Sequence, residues 1–132
     1  TTTAGLFGIF SEYGEPTKTY YAFRAFSEML KTPLRVPVSY DRNTGIVALS
    51  GCNKEKNMIN ILLSNFISEQ KFTIADISIE DFKSNALVEI YLIDISNNLS
   101  KIKEYSITNH SIINIKEIIP SESILLIQLK KY

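Results

Sequence analysis

The sequence contains no tryptophan, one cysteine and one histidine among its 132 residues. A single thiol, at Cys52, cannot form an internal disulfide or a zinc site built from several cysteines. With His110 as the one imidazole, no serine–histidine–aspartate or cysteine–histidine set for nucleophilic catalysis is visible. We therefore expect Cys52 to act as a small buried or half-buried apolar residue, and His110 to lie in a surface loop.

The sequence also lacks an excess of charge, since 14 lysine and arginine residues balance 14 aspartate and glutamate residues. Nucleic-acid binding depends on a basic surface that neutralises phosphates, so we expect no nucleic-acid partner. No apolar run reaches the roughly 20 residues of a membrane helix and no secretory signal is visible, so we expect no membrane partner. The chain opens at Thr1 rather than at methionine, which leads us to expect a piece of a longer protein.

Residues 16–31 are the one convincing helical stretch, because apolar side chains recur there at helical spacing. Thr17 is the predicted N-cap, with its hydroxyl accepting from a backbone N–H of the first turn. Pro33 biases the residue before it toward extended geometry, so the helix is expected to end near Thr32. The predicted apolar stripe consists of Ala22, Phe23, Phe26, Met29 and Leu30.

After Pro33 the hydrophobic period changes from helical to two, which predicts β-strands. Residues 35–40 are expected to form an edge strand because Pro37 cannot donate to a sheet. Residues 86–95 are apolar on both faces and are expected to be central, and Asp76 is expected to mark an irregularity or a switch of face. The other predicted strands cover residues 46–52, 58–66, 71–80, 101–107, 112–119 and 123–129.

Residues 112–119 are ambiguous and read either as a strand or as an irregular stretch, so the count is about seven to eight strands. Turn signals separate these strands and no helix interrupts them, which predicts an antiparallel arrangement. The predicted fold class is mainly β: an antiparallel β-sandwich with one N-terminal α-helix packed on it. We assign residues 1–32 to an extended segment and helix, and residues 33–132 to the sandwich domain.

The first part of the chain has a recognisable order of motifs. A glycine-punctuated apolar stretch at residues 5–10 leads to a turn at residues 11–14 and to Pro16, and a Tyr-Tyr-Ala-Phe motif follows at residues 20–23. This order resembles the segment that ends the (β/α)8 barrel of clan A glycoside hydrolases, above all family thirty-nine, the β-xylosidase and α-L-iduronidase relatives. In that family a β-sandwich follows the last barrel helix. One departure is Lys18, where relatives usually carry a second proline.

The resemblance implies that residues 1–32 are the end of a barrel and that the catalytic carboxylates lie in an upstream barrel domain of the same polypeptide. It implies no catalytic residue, metal ligand or cofactor in this chain, which would not be an enzyme by itself. The chain would instead be the accessory sandwich of a hydrolase of O-glycosidic bonds, and a secreted or periplasmic location is favoured. The side chains expected to pack between the two domains are Tyr20, Tyr21, Phe23 and Phe26.

Two other functions stay open at this stage. An autonomous carbohydrate-binding module would stack sugars on exposed aromatic rings, and an immunoglobulin-like protein-interaction module would not need the helix. The aromatic residues that we expect to be exposed and able to contact carbohydrate are Tyr40, Tyr105 and Phe82.

The carboxylates in the sequence do not have the arrangement expected of a catalytic pair or a calcium-binding loop. Glu12 and Glu15 lie three residues apart in a loop, and we expect them to belong to a solvated turn rather than to a rigid glycosidase pair. Carboxylates that could offer oxygen ligands to calcium do not follow the spacing of an EF-hand. These are Asp76, Glu80, Asp81 and Asp94.

Overall fold

A computed structural model describes residues 8–40, 45–66, 72–108 and 111–132 of the chain. The helix α1 spans Lys18–Glu28 and continues into a 3-10 turn over Met29–Lys31. The strands of the described residues are β1 (Leu34–Val36), β2 (Ile46–Cys52), β3 (Met58–Asn65), β4 (Phe72–Glu80), β5 (Ala86–Ile93), β6 (Asn98–Ile107), β7 (Ile112–Pro120) and β8 (Ser123–Lys131). The sequence also predicts a hairpin loop at residues 41–45, of which residues 41–44 lie outside the described residues, and so does His110, which we expect in a surface loop.

The strands form two antiparallel sheets. The larger sheet has six strands in the order β1-β2-β3-β8-β5-β6, and the smaller sheet pairs β4 with β7. Every pairing is antiparallel, so the predicted fold class is confirmed. β5 lies between β8 and β6, which confirms its predicted central position, and the closing strand β8 lies in the middle of the larger sheet.

The core lies between the two sheets. Ile90 and Ile127 pair across β5 and β8 on one face of the larger sheet, and Ile113 and Ile115 face them from β7. All four side chains are almost fully buried, and each such burial contributes about 1.5–3 kcal/mol to folding. The alternating burial of β7 resolves its ambiguity in favour of a strand.

The structure corrects one local prediction about the strands and decides between the two alternatives of another. β1 ends at Val36, before Pro37, and is therefore shorter than residues 35–40 because proline has no N–H for the ladder. Asp76 pairs with Lys116 in an unbroken register from one end of β4 to the other. It therefore marks no irregularity, but the apolar side chains do change face here, since Phe72 and Ile74 are 53% exposed whereas Ile77 and Ile79 pack against the core.

The helix begins and ends where the sequence predicts, but its N-cap works differently. Thr17 is the N-cap residue and makes no side-chain cap hydrogen bond. Its hydroxyl instead donates to the carbonyl oxygens of Gly8 and Ile9, the latter at 2.9 Å, which ties the helix start to the preceding segment. Within the described ranges, no helix has the length and apolar character that crossing a membrane requires.

Candidate functional site

The helix α1 packs against the face of the larger sheet that points away from the core. It buries Ala25, and the following 3-10 turn buries Met29 and leads into the buried Thr32. At this point β2 carries Gly51, where a Cβ atom would lie only 2.2 Å from the carbonyl oxygen of Thr32. The glycine therefore allows the end of the helix to approach the sheet closely.

Polar side chains from the two central strands of the sheet hold the helix in place. Asn60 on β3 donates from Nδ2 to the carbonyl oxygen of Glu28 over 2.9 Å. Gln128, its direct partner on β8, donates from Nε2 to the Glu28 carboxylate over 3.3 Å. At the other end of the helix, the Lys18 ammonium donates to the carbonyl oxygen of Asn97 over 3.1 Å. Directional bonds thus fix both ends of α1 on the sandwich.

Beside these contacts, a network of charged groups surrounds the buried carboxylate of Glu89. Lys130 donates to it over 2.8 Å, the Tyr91 hydroxyl over 2.6 Å, and Lys101 lies 3.5 Å away. The hydrogen bonds from Lys130 and Tyr91 lower the pKa of Glu89 to about 2. Burial and the hydrogen bond to Glu89 raise the pKa of Tyr91 to about 12. At neutral pH the network therefore contains an ionised carboxylate and a neutral phenol.

A polar cleft of about 300 Å³ opens between α1 and this network. Glycoside hydrolysis needs two carboxyl groups facing each other across the sugar, one of which holds a proton. Glu89 is ionised and already bound by Lys130 and Tyr91, so it cannot act as that acid. The lining residues are Arg24, Glu28, Lys31, Tyr91, Leu99, Leu126, Gln128 and Lys130. The geometry is that of a polar junction between helix and sheet.

This junction was not predicted from the sequence. A signal for it exists in the central strands, where Asn60 interrupts the apolar run of β3 and Gln128 interrupts that of β8. Polar side chains in otherwise apolar strands are rarely buried without a hydrogen-bonding partner. Because those partners lie on α1, far away in the sequence, the pattern alone does not identify them.

The opposite face of the helix is apolar and exposed. Phe23, Phe26 and Leu30 are 61%, 57% and 78% exposed, and their spacing places them along one stripe of the helix. The prediction of a single apolar stripe was therefore wrong, since Met29 is buried against the sheet while these three residues point away from it. A shallow groove of about 250 Å³ continues this surface toward Leu49 of β2.

The four aromatic residues expected to pack between domains fall into two pairs. Phe23 and Phe26 lie on the exposed stripe. Tyr20 and Tyr21 are half-buried, with their ring centroids 5.1 Å apart and the Tyr20 ring 5.4 Å from that of Phe10. The tyrosines therefore pack within the described chain, and the phenylalanines remain open to a neighbour.

The three residues proposed for carbohydrate contact do not come together. Tyr105 lies on the edge strand β6, whereas Tyr40 follows β1 at the opposite edge of the larger sheet. Phe82 is only 4% exposed, and the Lys131 ammonium lies 4.9 Å from its ring centroid. The expectation of an exposed Phe82 was wrong, because this ring belongs to the core cluster.

The remaining candidates take part in local structure. Glu12 and Glu15 are exposed in a turn that Gly14 closes with a φ of +79°, as predicted. Burial would raise the pKa of Asp94, but hydrogen bonds from Asn97 and Ser96 outweigh it and lower that pKa. Within the described part of the chain, no group of three or more histidine, cysteine, aspartate or glutamate side chains is placed to hold a metal ion. Cys52 is half-buried, as expected.

Parts of solved glycoside hydrolases have a fold similar to that of this chain. A glucosidase from Croceicoccus marinus matches 95% of this chain with a TM-score of 0.81 and 16% identity. A family 39 enzyme from Xanthomonas axonopodis pv. citri matches 96% with a TM-score of 0.76 and 9% identity. A family 30 subfamily 8 xylanase from Clostridium acetobutylicum matches 93% with a TM-score of 0.66 and 14% identity.

These matches establish a shared fold and a difference in length. The chain spans about a third of each of these three structures, from 30% to 33% of their residues. No protein-family profile matches the sequence, and no curated protein matches it. The structural neighbours are therefore glycoside hydrolases in which this fold is one part of a longer chain.

Proposed function

We propose that this chain is the non-catalytic accessory β-sandwich of a glycoside hydrolase and that it supports a catalytic barrel through α1. The observation that carries the proposal is the exposed apolar stripe formed by Phe23, Phe26 and Leu30. Large apolar side chains aligned on one helix face are typical of a surface that packs against another domain. The matched glycoside hydrolases, three times as long as this chain, support a barrel as that domain.

The energetics favour such packing. Burying the side chain of each residue in the stripe contributes about 1.5–3 kcal/mol for the part that leaves water. The helix itself cannot turn this face inward, because Asn60, Gln128 and Lys18 hold its other face and both its ends on the sandwich. The sandwich would therefore present the stripe to the barrel in a fixed orientation.

A supporting role also agrees with the chemistry of the polar junction. Glu89 is bound by Lys130 and Tyr91, so its charge orders neighbouring side chains and is not available to a substrate. In this proposal the junction sets the distance and angle between helix and sheet, and the catalytic carboxylates belong to the barrel. Since Tyr40 and Tyr105 lie at opposite edges of the sheet, sugar binding by the sandwich alone is not favoured.

The proposal is tested by comparing the 132-residue chain with the whole polypeptide that its gene encodes. We expect the longer protein to contain a further segment of about 250 residues with alternating strands and helices and to hydrolyse aryl glycosides. The 132-residue chain should show no turnover and no binding to xylan or cellulose. Turnover by the short chain, or the lack of a barrel in the longer protein, would overturn the proposal.

Substitutions on the stripe test the docking surface itself. In the longer protein, Phe26→Ser combined with Leu30→Ser should lower the temperature at which the barrel unfolds and weaken its activity. Ile95→Ser is the matched control, because Ile95 is 94% exposed and belongs to the turn between β5 and β6 rather than to the helix. Equal effects of the two changes would show that the stripe is not the contact.

A further inference from the structure

The smaller sheet has two strands, whereas the sheet that it covers has six. Strands in a sheet lie about 4.8 Å apart, so the pair β4–β7 spans only part of the width beneath it. Within the described ranges, no strand pairs with the outer edge of β4. The covering layer is therefore narrower than the layer that it covers.

Two matched residue pairs show on which side the cover is incomplete. Ile77 on β4 pairs with Ile115 on β7, and Ile79 pairs with Ile113, so each pair shares a residue type, a register position and a face. Both isoleucines on β7 are 1% exposed, whereas both on β4 are only half-buried. β7 thus lies over the middle of the core and β4 at its open margin.

Contacts with the larger sheet give the direction of that margin. Glu117 on β7 pairs with Lys103 on β6 over 2.8 Å, and Asn65 on β3 donates to the Thr73 hydroxyl on β4 over 3.3 Å. The free edge of β4 therefore faces the side of β2. On that strand the core-facing Ala48 is also only half-buried, as expected where apolar surface lacks a cover.

The edges of the larger sheet are protected against pairing, and the edge of β4 is not. Natural edge strands avoid pairing by being short or by carrying proline, lysine or a bulge. β1 has three residues and lies between Pro33 and Pro37, while β6 has two register shifts against β5 and carries Lys101 and Lys103. β4 has nine residues, no proline and no lysine, and its register with β7 is unbroken.

We propose that the free edge of β4 receives an added β-strand from a part of the same polypeptide outside residues 1–132. The added strand would pair with the backbone of β4 and place alternate apolar side chains over Ile77 and Ile79. A longer polypeptide can supply this strand, since the chain spans only 33% of the glucosidase that it matches. The inference rests on the proposed function only in requiring that longer polypeptide.

Hydrogen–deuterium exchange tests the inference. In the 132-residue chain, the amides of β4 that point to its free edge should exchange rapidly, while those of β8 exchange slowly. In the longer polypeptide the same β4 amides should exchange roughly fivefold more slowly, because each gains a hydrogen bond worth about 1 kcal/mol. Amides on the outer edge of β1 should not change and serve as the control.

A pair of substitutions makes the test specific to this edge. In the longer polypeptide, Ile77→Lys places a charge where the added strand would pack and should abolish the extra protection of β4. Ile74→Lys puts the same charge on the outer face of the same strand, where Ile74 is 53% exposed, and should leave the protection intact. Slow exchange in β8 shows that each variant is folded. If the Ile77→Lys variant is not folded, Ile77→Ala is used in its place.

Two outcomes would overturn the inference. Equal exchange of β4 in the short and long proteins would mean that no strand is added. Protection that appears in the 132-residue chain and rises with its concentration would mean that a second copy occupies the edge. Neither result bears on the proposed function, which is tested by other outcomes: a longer polypeptide without a barrel, turnover by the short chain, or stripe substitutions without effect.

Discussion

The two faces of the larger sheet hold their covering layers in different ways. On the core face, isoleucines and leucines such as Ile90 and Ile127 meet the smaller sheet with no exposed surface. On the outer face, Asn60, Gln128 and Glu89 are buried under or beside α1 and make directed polar contacts. One layer is held by burial of apolar area, and the other by hydrogen bonds together with the small apolar contact of Ala25 and Met29.

The two kinds of contact have different consequences, one for the stability of the fold and the other for the position of the helix. Apolar contacts contribute most of the free energy of folding but are not directional. A buried amide or carboxylate contributes less and costs free energy whenever its partner is missing, so it penalises any other placement of the helix. We infer that the core face stabilises the fold, and that the outer face determines where α1 and its exposed stripe lie.

The largest expected effect is on the core face. Ile127→Ala should lower the free energy of unfolding by about 2–5 kcal/mol, because it leaves a cavity in a fully buried site. Val47→Ala on the outer face is the control, since Val47 is 58% exposed and should change stability only slightly. Urea denaturation measures both, and similar losses would contradict the contrast between the faces.

The next effect is at the junction of helix and sheet. Gly51→Ala should destabilise the protein by about 1–3 kcal/mol through overpacking, since the added Cβ would meet the Thr32 carbonyl at 2.2 Å. Amide exchange in Met29–Lys31 should accelerate with it. Gly14→Ala is the control. Its φ of +79° is strained for alanine, but apart from its chain neighbours no atom lies within 4 Å of the added Cβ. If Gly14→Ala also accelerates exchange there, close packing at Gly51 is not the cause.

The Glu89 network should show a smaller effect that depends on pH. Glu89→Gln should cost about 1–2 kcal/mol at neutral pH, because the hydrogen bonds to Lys130 and Tyr91 lose their charge assistance. The folded pKa of Glu89, about 2, lies below its ordinary value of 4.5. Its contribution is therefore complete above pH 4.5 and is lost as the pH falls toward 2.

Chemical denaturation of the original chain and the Glu89→Gln variant across that range measures this contribution. The difference between the two should shrink as the pH falls from about 4.5 toward 2. Lys130→Met provides a matched removal of one partner and should give a similar dependence. A difference that stays constant over this range would show that the carboxylate is not held ionised by the network.

The smallest effects on stability are expected for two ion pairs that differ in burial. Glu117 is buried and bound by Lys103, so Glu117→Gln should cost about 1 kcal/mol. Glu104 pairs with Lys101 while both side chains are nearly half exposed, and Glu104→Gln should give no measurable change because water screens such pairs. A larger loss for Glu104→Gln would show that burial does not set the strength of these pairs.

Much of the strand layout was predictable because it depends on local patterns. The bounds predicted for β2 are those of the structure, and β8 is only two residues longer than predicted, since both are short, mostly apolar segments bounded by polar or turn residues. Pro33 ends the helix region for an equally local reason. The burial of Phe82 and the two apolar sides of α1 were not predictable, because they depend on partners distant in sequence.

The sequence by itself determined that the chain is an antiparallel β domain with one helix, because period and turn residues act over a few positions. Only the tertiary structure decided that β8 lies in the middle of the larger sheet, that Asn60 and Gln128 bind Glu28, and that Phe23, Phe26 and Leu30 remain exposed. These features depend on which strands become neighbours and which face the helix covers. Such choices follow from the packing of the whole chain, so no single segment identifies the partners.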